Sequence, residues 1–141
     1  MAKKTGKKEA KAEAAAPVLA GDATEKQKAA YLEMATNTVA ALDDAIALLE
    51  ARKVAPDLTA DERRLINVQL PDHEANRAKV WAQMLAFLAG QQAVRPPSDA
   101  QVGKAVELAK QLDGMVASAV VAAAIVQVSG ELVTLWKETR G

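Results

Sequence analysis

The residues equipped to do chemistry are few. There is one histidine, His73, in the run Pro71, Asp72, His73, Glu74, and there are adjacent carboxylates at Asp43 and Asp44 and at Asp61 and Glu62. A metal bound through His73 needs a second histidine or a carboxylate at helical spacing on the same face, and the next turn offers Arg77 and Ala78, neither a ligand. Proline suits a first helical position, and carboxylates suit the positive end of the helix dipole. The cluster therefore reads as a solvated helix start.

The carboxylate pairs carry no better chemistry. Neighbours on a helix diverge by about 100° around its axis, so Asp43 and Asp44 share neither a proton nor an ion readily and are expected to face solvent. Neither matches the Glu with Glu-x-x-His pattern of di-iron bundles. Asp61, Glu62, Arg63 and Arg64 read as a first-turn acidic pair followed by basic residues, a solvated face. No catalytic, cofactor-binding or metal-binding residue is assigned, and a non-enzymatic protein is expected because no convergent titratable set exists.

Half of the chain is apolar, yet only Tyr31, Trp81, Phe87 and Trp136 are aromatic. Alanine supplies the difference, and Ala-rich, aromatic-poor sequence favours helix over sheet. The fold class expected is all-α. The 141 residues suffice for one domain over 22–141, after a basic, disordered tail over 1–21.

Lys3, Lys4, Lys7, Lys8 and Lys11 against Glu9 and Glu13 leave residues 1–16 at +3 and the remainder at −3. The lysines offer weak phosphate contacts to anionic lipid or nucleic acid, with no aromatic or arginine interleaving to read bases. Charge at Glu9, Lys11 and Glu13 and the break at Pro17 argue against a signal peptide. The chain has no cysteine, which fits a reducing cytoplasm, the expected location, and fits equally a protein exported without disulfides.

Three start signals divide the folded part. Thr24 with Gln27, Thr59 with Glu62 and Ser98 with Gln101 each have the capping-box spacing, and the stretches at Pro56 and at Pro96 and Pro97 end the helix before them. The expected architecture is three long antiparallel helices, running up, down and up. Helix one, about 24–54, carries Leu32, Ala35, Val39, Leu42, Ile46 and Leu49 as a coiled-coil-like seam. Helix two, about 59–92, meets Pro71, where a kink or short break over 68–72 is expected. Its Val80, Trp81, Met84, Leu85, Phe87 and Leu88 lie on an arc of about 160°. Arg77 enters that face and needs a carboxylate partner or a route to water.

Helix three, Ser98 to about Thr139, contains a run from Gly114 to Gly130 with no charged residue. One seam holds Val116, Ala119, Ala123, Val126 and Gly130; a second holds Val121, Ile125 and Val128. The seams face nearly opposite directions, so this segment needs cover on both sides. Gly114, Ser118 and Ala122 repeat at intervals of four, as do Ala119 and Ala123, and small residues so spaced let helix backbones approach closely. Seventeen uncharged residues stand at the low edge of what spans about 30 Å of hydrocarbon. Five valines and one isoleucine contribute only about −2 to −3 kcal/mol to insertion, which glycines, serines and Gln127 erode.

The function expected is that of a helical assembly protein, burying this Ala/Val face in a homo-oligomer or against a helical partner. The alternative is a membrane-active protein of the helical pore-forming kind, whose C-terminal apolar helix inserts conditionally into lipid. Gly114 and Gly130 bracket the run as candidate hinges.

Overall fold

A computed structural model describes residues 15–140. Among them are four helices and no strand: α1 Glu25–Arg52, α2 Ala60–Leu88, α3 Asp99–Asp113 and α4 Ala122–Lys137. The expected all-α class holds. The five lysines Lys3, Lys4, Lys7, Lys8 and Lys11 lie outside the described residues. Val18 forms an isolated antiparallel bridge with Val94, and the Arg95 guanidinium donates to the Ala15 carbonyl, so the chain enters beside the end of α2. A single 3-10 turn, Ala20–Asp22, leads into α1.

Each expected N-cap operates. Thr24 and Ser98 accept from the amides of Gln27 and Gln101, whose side chains reach back to the cap amides. Thr59 accepts from the Glu62 amide, but Glu62 turns its carboxylate elsewhere, and the reciprocal half of the box is not made. The end of α2 comes earlier than expected. Gly90, at φ +75°, adopts the left-handed conformation that suits glycine, while its amide bonds Phe87 O and the Gln91 amide bonds Ala86 O. Those two bonds are a Schellman motif, which satisfies carbonyls of the last turn. The expected break over 68–72 is absent: α2 continues across Pro71, which removes one amide donor from a long hydrogen-bonded ladder.

The larger correction concerns helix three. Two helices, α3 and α4, replace the single helix expected over 98–139, joined by a loop from Gly114 to Val121. Gly114 and the β-branched Val116, Val120 and Val121 weaken the helix locally. A straight helix would also leave an apolar surface on both sides of the same stretch. Folding back lays the second half against α1, α2 and α3, so the chain itself covers one of the two seams.

Pairings along the helices give their directions. Asp43 meets Arg77 and Tyr31 meets Phe87, so α1 and α2 run antiparallel. Glu62 meets Ala122, His73 meets Ser129 and Gln83 meets Thr139, so α4 runs parallel to α2. The result is an up-down-up-down four-helix bundle. In it α1 and α4 pack with every other helix, whereas α2 and α3 lie apart across them.

The core has two lobes. One gathers Met34, Ala45, Leu49 and Ile66 with Leu108, Leu112, Ile125 and Leu132. The other gathers Tyr31, Leu42, Met84 and Phe87 with Val133 and Trp136. Tyr31 and Phe87 meet edge to face with centroids 4.9 Å apart, and Gln83 donates to the Tyr31 hydroxyl. Burial pushes the Tyr31 phenol upward, partly offset by that bond. The buried face of α1 centres on Tyr31, Met34, Thr38, Ala41, Ala45 and Leu49, with Leu32, Val39 and Ile46 at its margin. Arg77 finds the carboxylate it needs, donating to Asp43 at 2.6 Å, so Asp43 carries an interhelical ion pair at the surface. Asp44 is raised by burial and then by facing Asp113 and Asp43.

Candidate functional site

Two residues read as solvated turn out to fasten α4 to α2. His73 is 3% exposed and sits in mid-helix. Its Nδ1 faces the Gln69 carbonyl at 2.9 Å, and its Nε2 lies 2.6 Å from Ser129 Oγ on α4. The helix that continues across Pro71 turns this position into the core, where burial lowers the imidazole below its ordinary value. Glu62 takes a bidentate grip from the buried Arg52, with Nε to Oε2 at 2.7 Å and Nη2 to Oε1 at 3.0 Å. The same carboxylate accepts from the Ala122 amide at 2.7 Å.

Val121, the residue that caps α4, has no side-chain hydrogen bond to offer. The Glu62 carboxylate replaces it from another helix and meets the positive end of the α4 dipole. Arg52 spends its remaining donor on Asp57 and on the Ala117 carbonyl of the loop. These charge-assisted bonds outweigh the return of Glu62 to its own cap, which explains the half-made box. Arg52 holds the Glu62 carboxyl below the usual carboxylate range, and Glu62 in turn raises Arg52.

A serine hydroxyl against a histidine nitrogen is also the geometry of an activated nucleophile. Here Ser129 has no exposed surface, its hydroxyl lies 2.9 Å from the Ile125 carbonyl, and the second ring nitrogen of His73 meets a backbone carbonyl. In this conformation the pair is closed off from solvent and joins two helices. Ser129→Ala leaves the buried Nε2 without its partner and is expected to destabilise the fold by about 1–3 kcal/mol, measured by denaturant unfolding.

The eight residues singled out on the uncharged run are divided by the fold-back. Val116 and Ala119 lie in the loop and are exposed, Val116 by 59%, so the first seam is not one continuous helical stripe. Val121 caps α4 and is 54% exposed. Ile125 is fully buried and Val128 half-buried, so of the second seam only the part beyond Val121 turns inward. Ala123, Val126 and Gly130 lie on the outer side of α4, with Val126 half-buried and the other two exposed.

On that outer side α3 and α4 leave a groove of about 560 Å³. Its apolar wall is Leu108, Val126 and Leu135, with Gly130 and Thr134 along α4 and Lys104, Glu131 and Glu138 among its charged residues. A Cβ built on Gly130 meets nothing within 4 Å, so this glycine opens the groove where a side chain would fill it. The α3 wall is not legible in the sequence, because helical periodicity runs unbroken from α3 into α4 and describes a single rod.

A second apolar surface lies on α2, where Trp81, Leu85 and Leu88, on one arc with the buried Val80, Met84 and Phe87, are each about half exposed. Among the described residues no group of three or more His, Asp or Glu is placed to hold a metal, and no helix is long and apolar enough to cross a membrane. No protein-family model, curated protein or solved structure matches the chain.

Proposed function

We propose that the protein is a non-enzymatic helical assembly protein that seats a helix of a second copy, or of a helical partner, in the groove between α3 and α4. The observation that carries this reading is the open groove at Gly130. It is apolar along its wall and charged at its rim. An amphipathic helix laid in such a groove buries its apolar face and meets the rim charges with its polar flanks.

Gly130→Arg tests it. The substitution adds no clash at Cβ and replaces a mid-helix glycine, so the folded protomer is expected to be retained or stabilised by up to about 1 kcal/mol. The arginine nevertheless occupies the groove. Sedimentation velocity over a range of concentrations is expected to show association of the parent chain and its loss in Gly130→Arg. Ala123→Arg is expected to act in the same direction. Association that survives both substitutions sinks this reading.

A second reading, membrane activity, draws support from the bundle end where Val54, Val116 and Val121 are exposed together with the uncharged loop. Dye release from vesicles distinguishes it, since assembly through the groove predicts none.

A further inference from the structure

Among the described residues two polar contacts join α2 to the first half of α4, and both use titratable side chains: Glu62 to the Ala122 amide and His73 to Ser129. We propose that Glu62 and His73 together form an acid-sensitive fastening, so that the uncharged loop and the first half of α4 are the part of the fold that opens first on acidification. The second half of α4 is anchored by Leu132, Val133 and Trp136 in the core and by Gln83 on Thr139, with Gln101 of α3 donating to the Glu138 carboxylate at its end.

The hydrogen bonds at His73 fix how it responds. Nδ1 faces a carbonyl and must carry a proton, so the neutral ring presents its Nε2 lone pair to the Ser129 hydroxyl. When Nε2 is protonated as well, it donates to Ser129 Oγ, and Ser129 turns its own proton to the Ile125 carbonyl at 2.9 Å. No bond is lost; the cost is a charge placed in an apolar setting.

The surroundings offer that charge little. On α4 no charged residue occurs from Ala122 to Gly130, and the first, Glu131, is exposed. On α1, Asp43 is committed to Arg77, and Asp44 faces Asp113 of α3. On α2 itself Asp72 favours the imidazolium from an exposed position, as does the neighbouring Glu74 by its sign, and burial outweighs them. Glu62 faces Arg52 of α1, with Asp57 on the same guanidinium and the Ala122 amide of α4 opposite; on α2, Asp61 is paired with Arg64, and Arg63 is exposed.

The signs agree. His73 is lowered in the fold from 6.5, so the opened state binds the proton more readily and stability falls as pH drops through 6.5 toward the folded value. Glu62 is lowered from 4.5, so its contribution is present above 4.5 and is lost as pH falls further. Acid therefore acts in two stages, first at Ser129 and then at the start of α4. The inference stands whichever surface assembles.

Hydrogen exchange of the full chain, corrected for the intrinsic rate at each pH, tests it. Between pH 7.5 and 5.5 the amides of residues 124–130 are expected to lose protection by at least about threefold relative to those of 41–45 in α1. His73→Gln, which removes the only histidine, is expected to abolish this change. Glu62→Gln is expected to remove the further loss below pH 4.5. Uniform protection across pH, or a His73→Gln protein with the same acid response as the parent, overturns the proposal. Should His73→Gln fail to fold, titration of the His73 ring by NMR in the parent decides, since a midpoint at or above 6.5 overturns it too.

Discussion

Replacing Ile125 with alanine is expected to cost about 2–5 kcal/mol, whereas Val126→Ala, one position on, is expected to cost well under half as much. The contrast follows from the fold-back. Ile125 is fully buried in the lobe that draws Ala45 and Leu49 from α1, Ile66 from α2 and Leu112 from α3, so truncation removes apolar packing inside the bundle and leaves a cavity. Val126 lines the open groove, and solvent reaches the space its methyl groups leave. If α3 and α4 were one continuous rod with both seams covered by other molecules, the two substitutions would weigh equally on a dilute protomer. Urea unfolding at low concentration measures both, and near-equal costs would contradict the hairpin.

Trp136→Ala is expected to cost about 3–5 kcal/mol, the upper part of the range for core truncations. Trp136 is 1% exposed and is the largest fully buried side chain; it packs in the lobe of Tyr31, Met84 and Phe87, with the Arg140 guanidinium 6.0 Å from its ring centre. Its indole Nε1 has no acceptor among the described residues. That unpaired donor offsets part of the benefit of burial, so Trp136→Phe, which removes the N–H and keeps most of the ring, is expected to cost much less than Trp136→Ala. Thermal unfolding of the two variants beside the parent checks the order. A Trp136→Phe protein as unstable as Trp136→Ala would place the weight on the indole N–H rather than on packing.

What the residues announced in advance was local. Thr24, Thr59 and Ser98 mark helix starts because a hydroxyl caps an amide three residues on, and Pro56 follows the end of α1 because proline lacks a donor, whereas α2 stops just before Gly90, ahead of the Pro96–Pro97 pair. Arg77 announced its need for a carboxylate because an isolated charge on an apolar face is costly, and Asp43 meets that need.

What remained hidden was tertiary. Helical periodicity passes without interruption through Gly114 to Val121, since alanine and valine satisfy any seam, and only the competition for buried surface turns the chain there. His73 and Ser129 stand 56 positions apart, and nothing local to either names the other. Glu62 looked like half of a capping box because its spacing from Thr59 fits one. The buried guanidinium of Arg52 and the unassisted start of α4 claim the carboxylate instead. Trp81, Leu85 and Leu88 share an arc with Val80, Met84 and Phe87, and spacing alone does not say where a packed face ends and solvent begins.

We propose that one copy of this protein meets another on the surface around Gly130, between α3 and α4. Hydrogen exchange of the full chain at a concentration well below and well above the onset of association tests that most directly. The amides of residues 123–134 and those of α3 around Leu108 are expected to gain protection at high concentration, while the exposed Trp81 side of α2 stays unchanged. Protection gained along α2, or none gained anywhere on the outer side of α4, would contradict it.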